Sequence, residues 1–199
     1  MPARRGTREL LILTAERLYG ERGVDAVSLR QVADAAGQRN PAVVQYHFGD
    51  RDGLLRAIVE YRVGPANARR MAMLDDLERA GRARDLRGLV EASVLPLLEA
   101  LPPDAHYLRF VAQLEASSSL TRVFGAAGDE YGASARRIAV LIDHALDALP
   151  EPIRHLRTSI AFQALFQGLA TPPAGLPFDV FVDDLIGATV AFLQAPPPR

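Results

Sequence analysis

Gln45, Tyr46 and His47 stand side by side, with Arg39 and Asn40 before them and Arg51 just beyond. These residue types make neither an acid–base pair nor a metal site at that spacing. They make a short array of hydrogen-bond donors and acceptors with positive charge on both flanks. Such an array suits duplex DNA. A glutamine amide pairs with adenine through two bonds, and a small apolar side chain such as Ala42 or Val43 touches a thymine methyl. Tyrosine and histidine donate to phosphate oxygens. Ser28, Arg30 and Gln31 form a second polar group at the head of another segment. Arg4, Arg5 and Arg8 would follow a phosphate backbone as an arm. A lone Tyr-His pair is most often ordinary surface, so the weight rests on its setting.

That setting is helical. The spacing predicts a helix over residues 7–22, with Leu11, Ile12, Ala15, Leu18 and Tyr19 on one face and Gly23 as its stop. Ser28 and Gln31 fit a capping box opening a second helix, whose Leu29, Val32, Ala33 and Ala36 form a buried stripe. Gly37 allows a sharp turn. Asn40 caps a third helix starting at Pro41, and Gly49 ends it. Two short helices around a turn, the second rich in polar and aromatic side chains, match a helix-turn-helix that lays its second helix in the major groove. At 100° per residue from Val44, Phe48 falls at about 40°, Ala42 at about 160° and Tyr46 at about 200°. Val44 and Phe48 then anchor the helix, while Ala42, Val43, Gln45 and Tyr46 face outward.

Residues 8–55 resemble the N-terminal domain of TetR-family transcriptional regulators. The resemblance is carried by Leu18-Tyr19 and Gly23, by Ser28-Leu29-Arg30-Gln31-Val32-Ala33, by Ala36-Gly37, by Tyr46-His47-Phe48-Gly49, and by Arg51 and Leu54-Leu55. There are two departures. Gly37 and Phe48 stand one residue further apart than in the family's commonest spacing, and Val44-Gln45 replaces the usual Leu-Tyr pair. The register of residues 37–41 stays open on that account. The resemblance implies a homodimer on a double-stranded DNA operator and a small-molecule effector in the C-terminal part.

The rest of the chain also reads as helices, over about 50–80, 85–101, 104–120, 129–149, 151–170 and 178–194. Gly64-Pro65 should bend or break the first of these, and Pro96 should kink the second. Gly81, Pro102-Pro103, Gly125 to Gly128, Pro150 and residues 171–177 separate the helices, and the proline-rich tail follows. Both final helices are apolar over a wide face, which points to burial on two sides. The resemblance implies that they pair with a second copy, with Phe178, Phe181, Val182, Leu185, Thr189 and Phe192 at the interface. Met71, Leu74, Tyr107, Phe110, Gln113, Leu114, Phe162 and Phe166 are candidates for the effector pocket, since aromatic and flexible apolar groups with a few polar ones line such cavities. The same stripe also fits ordinary core.

Composition narrows the alternatives. With no cysteine, disulfides, thiolate nucleophiles and cysteine-based zinc sites are excluded. Net charge is −1, so the chain is not a polybasic nucleic-acid binder overall; the N-terminal part carries a small Arg excess. No nucleophile elbow, metalloprotease helix or phosphate loop is present, and Asp143-His144 with His155, on mostly apolar helices, reads as structural rather than as a metal or acid–base cluster. No enzyme activity and no cofactor are expected. No apolar run is long enough for a membrane span, and the N-terminus leads straight into an amphipathic helix, so a cytoplasmic location is expected.

The resulting expectation is an all-α chain of about nine helices. Residues 1–55 form a three-helix helix-turn-helix domain, and residues 56–199 a helical ligand-binding and dimerisation domain. It would act as a ligand-responsive transcriptional regulator, most simply a repressor. The alternative is a helical small-molecule or partner-binding protein whose helix-turn-helix does not bind DNA specifically.

Overall fold

The computed structural model describes residues 6–102, 106–117, 123 and 129–196. All secondary structure among them is helical: α1 (Thr7–Arg22), α2 (Leu29–Ala35), α3 (Val43–Phe48), α4 (Arg51–Arg79), α5 (Leu86–Ala100), α6 (Tyr107–Ala116), α7 (Asp129–Ala145), α8 (Glu151–Ala170) and α9 (Phe178–Leu193). The expected breaks at Gly125–Gly128 and Pro103, the remainder of the 104–120 helix and the Arg4-Arg5 arm lie outside the described residues.

Local chemistry sets the N-terminal helices. Leu11, Ile12, Ala15, Leu18 and Tyr19 are buried along α1, as their spacing dictates. The capping box of α2 forms in full: the Gln31 backbone N–H donates to Ser28 Oγ at 3.2 Å, and the Ser28 N–H donates to Gln31 Oε1 at 2.8 Å. Gly37 takes φ +68°, a left-handed conformation that disfavours other residues, and the Gln38 N–H returns to the Ala33 carbonyl. The third helix starts at Val43 rather than at Pro41. Asn40 still acts at its entrance, accepting the Ala42 N–H at 3.0 Å, but over a turn that precedes the helix. Asp50 caps α4 through the Gly53 N–H at 2.7 Å.

Two cores follow, both served by α4. The first joins α1, α2, Val44 of α3 and the N-terminal half of α4 to Tyr107, Phe110 and Leu114 of α6. The second joins Leu74 and Leu77 of α4 to α5, α7, α8 and α9. Helix α6 thus lies against α1 of the N-terminal domain. Gly20 permits this approach: a Cβ there would sit 3.2 Å from Arg109 Cβ, the His106 carbonyl oxygen and the Phe110 nitrogen.

Helix α4 runs unbroken through Pro65, against the expected interruption. Val63 and Ala66, buried on either side of the proline, hold the helix on line against the core, and Pro65 itself is exposed. Pro96 likewise sits inside a continuous α5. It lacks the N–H that would bond the Ala92 carbonyl, and Arg70 Nε supplies that bond instead at 3.2 Å.

Candidate functional site

Helix α3 is fixed from below and open above. Val44 is fully buried and Phe48 packs against the first core. On the opposite side Tyr46 is 85% exposed, flanked by exposed Ala42 and Gln45, with Arg39, Asn40 and Pro41 exposed in the turn before them. His47 is half-buried between Tyr46 and Phe48, its ring 5.1 Å from the first and 6.0 Å from the second. Arg8 reaches the same region, its guanidinium 5.3 Å from the Phe48 ring centre.

Val43 corrects the expected outward set. It is half-buried against the first core, because a β-branched apolar side chain at the helix entrance gains more from packing on that core than from solvent. Gln31 is exposed, yet its Oε1 is engaged by the Ser28 N–H and hydroxyl. Ser28 and Arg30 are exposed at the start of α2, where Arg30 meets Asp34 only at 3.9 Å. Arg51 is partly tethered: Nη2 donates to the Val27 carbonyl at 3.4 Å and Nη1 lies 3.6 Å from Asp25. The resulting surface gathers the starts of α2 and α4 around the exposed ridge of α3.

The sequence matches the family model for bacterial regulatory proteins of the tetR family over residues 11–58, the span that builds α1 to α3 and the start of α4. The chain carries a TetR-family N-terminal domain. Its match covers every element that presents the α3 ridge. No curated protein matches the sequence. Among solved structures, AibR in complex with isovaleryl coenzyme A and operator DNA is similar at TM-score 0.53 and 16% identity, over 92% of this chain and 97% of that one. The TetR family transcriptional regulator PfmR from Thermus thermophilus is similar at TM-score 0.52 and 17% identity, over 98% and 100%. These likenesses establish a TetR-like fold along the whole chain.

The expected effector residues of this TetR-like chain are spread over both cores. Tyr107, Phe110 and Leu114 are buried in the first, Leu74 in the second; Met71 and Phe162 pack against the second, and Phe166 touches both. Gln113 departs from the expected cavity: its Oε1 lies 3.4 Å from where a Gly23 Cβ would be, at the end of α1. None of the eight lines the open groove of about 580 Å³ walled by Leu98, Leu101, His106, Leu108, Arg109 and Leu169.

The expected interface set divides by helical phase. Val182 and Thr189 point into the subunit's own core together with Ile186 and Leu193, at the i, i+4, i+7, i+11 positions of one stripe. Thr189 Oγ1 donates to the Leu185 carbonyl at 2.8 Å, which satisfies its hydroxyl within the helix. Phe181 and Leu185 are half-buried against the second core. Phe178 and Phe192 remain exposed, and Leu156, Ile160 and Val180, absent from the expected set, join them. Separating each broad apolar face into two stripes would have found these three.

Two buried charges also escaped sequence reasoning. Glu16 of α1 is 1% exposed and accepts Arg62 Nε at 2.6 Å, Arg62 Nη2 at 3.0 Å and the His106 backbone N–H at 2.9 Å. One carboxylate therefore ties α1 to α4 and to the entrance of α6. Arg70 of α4 is 6% exposed among neutral partners. The signal in the sequence was phase: Glu16 falls in step with Ile12 and Tyr19, and Arg70 with Ala66, Leu74 and Leu77.

Proposed function

We propose that this chain is a homodimeric, ligand-responsive transcriptional repressor of the cytoplasm that reads operator DNA with α3. The observation that carries the reading is the α3 ridge: Ala42, Gln45 and Tyr46 are exposed on a helix whose opposite side is locked by Val44 and Phe48. Gln45 and Ala42 would meet base edges, and Tyr46, His47, Arg39 and Arg51 would meet phosphates. Ser28, Arg30 and Asn40 would contact the flanking backbone. AibR, of the same fold, has been captured with both an acyl coenzyme A and operator DNA. That precedent supports a fold able to hold an effector and an operator together.

Dimerisation has its own support. Leu156 and Ile160 on α8, with Val180 and Phe192 on α9, leave an apolar surface that a lone subunit would expose to water. Covering it by a two-fold axis would present two α3 helices to successive major grooves, roughly 34 Å apart. An effector among the α4–α8 helices would change that spacing through α4 and through the Glu16 junction with α6.

The test is a titration of the protein against the duplex upstream of its own gene at several salt concentrations, with an unrelated duplex as control. Sequence-selective binding that weakens steeply with salt is expected. Tyr46→Ala should reduce specific affinity by about 10-fold or more, a loss of about 1–3 kcal/mol, with the circular dichroism spectrum unchanged. Binding that ignores sequence would return the chain to the alternative, a helical small-molecule or partner-binding protein.

A further inference from the structure

The guanidinium of Arg70 lies inside the C-terminal helices, where α4 faces α5 and α7. Its three hydrogen bonds all go to neutral oxygens: Nε to the Ala92 carbonyl at 3.2 Å, Nη2 to the Ser93 carbonyl at 3.1 Å, and Nη1 to the Ser134 hydroxyl at 3.3 Å. No carboxylate of a described residue pairs with it. Arg62, also largely enclosed, has Glu16. The hydroxyl of Tyr107 feels the Arg70 charge, but complete burial keeps that phenol neutral.

Pro96 in α5 accounts for only part of this. Pro96 frees the Ala92 carbonyl, and Arg70 satisfies it. A neutral amide side chain would do the same without bringing a full charge out of water, and an unbalanced buried cation is costly. A guanidinium has five N–H donors, and three are used here. One N–H remains on each terminal nitrogen, and such charged N–H groups are the donors that hold a carboxylate. Met71 and Leu74, on the same helix, offer apolar surface nearby. Met71 is also the kind of flexible side chain that yields space most readily, and Arg70 does not line the open groove of about 580 Å³.

We infer that Arg70 is the seat for the carboxylate of a small apolar organic acid, and that such an acid is the effector. This rests on the ligand-responsive reading above. Binding would supply the missing negative charge, draw the Arg70 fork from α5 toward the acid and displace Met71. Both shifts act on α4, the helix that starts at the edge of the α3 surface.

Thermal unfolding of the full chain tests this, with acetate, hexanoate, octanoate and benzoate as probes. Sodium chloride at equal ionic strength and the matching neutral amides are the controls. At least one acid should raise Tm saturably, by about 3–6 °C well above its Kd, while its amide does nothing. Arg70→Met should lose the response. Ser134→Asp, which places a carboxylate beside Nη1, should raise the ligand-free Tm and abolish the response to acid. The inference is overturned if no acid exceeds chloride, or if Arg70→Met responds like the parent. Should Arg70→Met fail to fold, an undiminished response in Ser134→Asp overturns it equally. Operator binding measured alongside separates the two readings. Tight operator binding with no response to any acid removes this inference alone, whereas no operator binding in the ligand-free protein removes the regulator reading.

Discussion

Tyr46 stands 85% exposed on α3, while Tyr19, also on a short-range helical pattern, is fully enclosed between α1 and α6 with its ring 6.3 Å from Phe110. The Tyr19 hydroxyl finds no hydrogen-bond partner among the described residues. A buried polar group without a partner is a liability, so Tyr19→Phe should be neutral or stabilising at pH 7, by up to about 1–2 kcal/mol in urea unfolding. Burial also pushes the Tyr19 phenol up to about 12, with the Arg51 charge offsetting part of the rise. In the unfolded chain the same group ionises near 10. Its contribution is therefore intact below about pH 10 and is lost as pH rises toward the folded value, because the unfolded state releases its proton first. Tyr107 acts in the same direction. The urea midpoint should fall between about pH 10 and 12, and Tyr19→Phe should flatten that fall; an identical slope in both proteins would rule out the assignment.

At the scale of elements, the Glu16 junction matters most. Glu16 and Arg62 have side chains only 2% and 11% exposed, and the carboxylate also holds the first N–H of the segment leading into α6. Removing one partner strands the other charge, so Glu16→Ala should cost about 3–5 kcal/mol in denaturant unfolding. Glu16→Ala combined with Arg62→Met should recover most of that loss, since two apolar groups leave no charge behind. If the double variant is as weak as the single one, the junction serves chiefly through His106. Because α1 and α6 meet so closely at Gly20 that a Cβ would press on α6 at 3.2 Å, a displacement of α6 bears directly on α1.

At the scale of the molecule, the exposed stripe along α8 and α9 is where the proposed dimer would close. Ile160 and Phe192 are 43% and 41% exposed, so charging them spares the subunit core, unlike changes at Phe181 or Leu185. Ile160→Asp with Phe192→Asp should sediment as a monomer with an unchanged helical spectrum. Operator affinity should then fall by roughly 100-fold or more, because the second half-site contact is no longer intramolecular. A double variant that still sediments as a dimer would move the interface elsewhere.

How far the sequence reaches differs between these scales. The capping box at Ser28 and Gln31, the sharp turn at Gly37 and the apolar phases of α1 and α2 were all legible, because each depends on residues within a turn or two of one another. Those local rules were enough to build the helix-turn-helix and to separate Val44 from Tyr46. They overreached at Pro65, where burial of the flanking residues outweighs the missing hydrogen bond, and at Val43, where packing outweighs helical phase. Periodicity names an apolar face but not what covers it, so Val182 and Phe192 looked alike until the second core claimed one and left the other outside. Only the tertiary structure could join Glu16 to Arg62 and His106, or set Arg70 against the Ala92 carbonyl. Those contacts span 46, 90 and 22 residues, and their energy comes from shared burial, which no local pattern records.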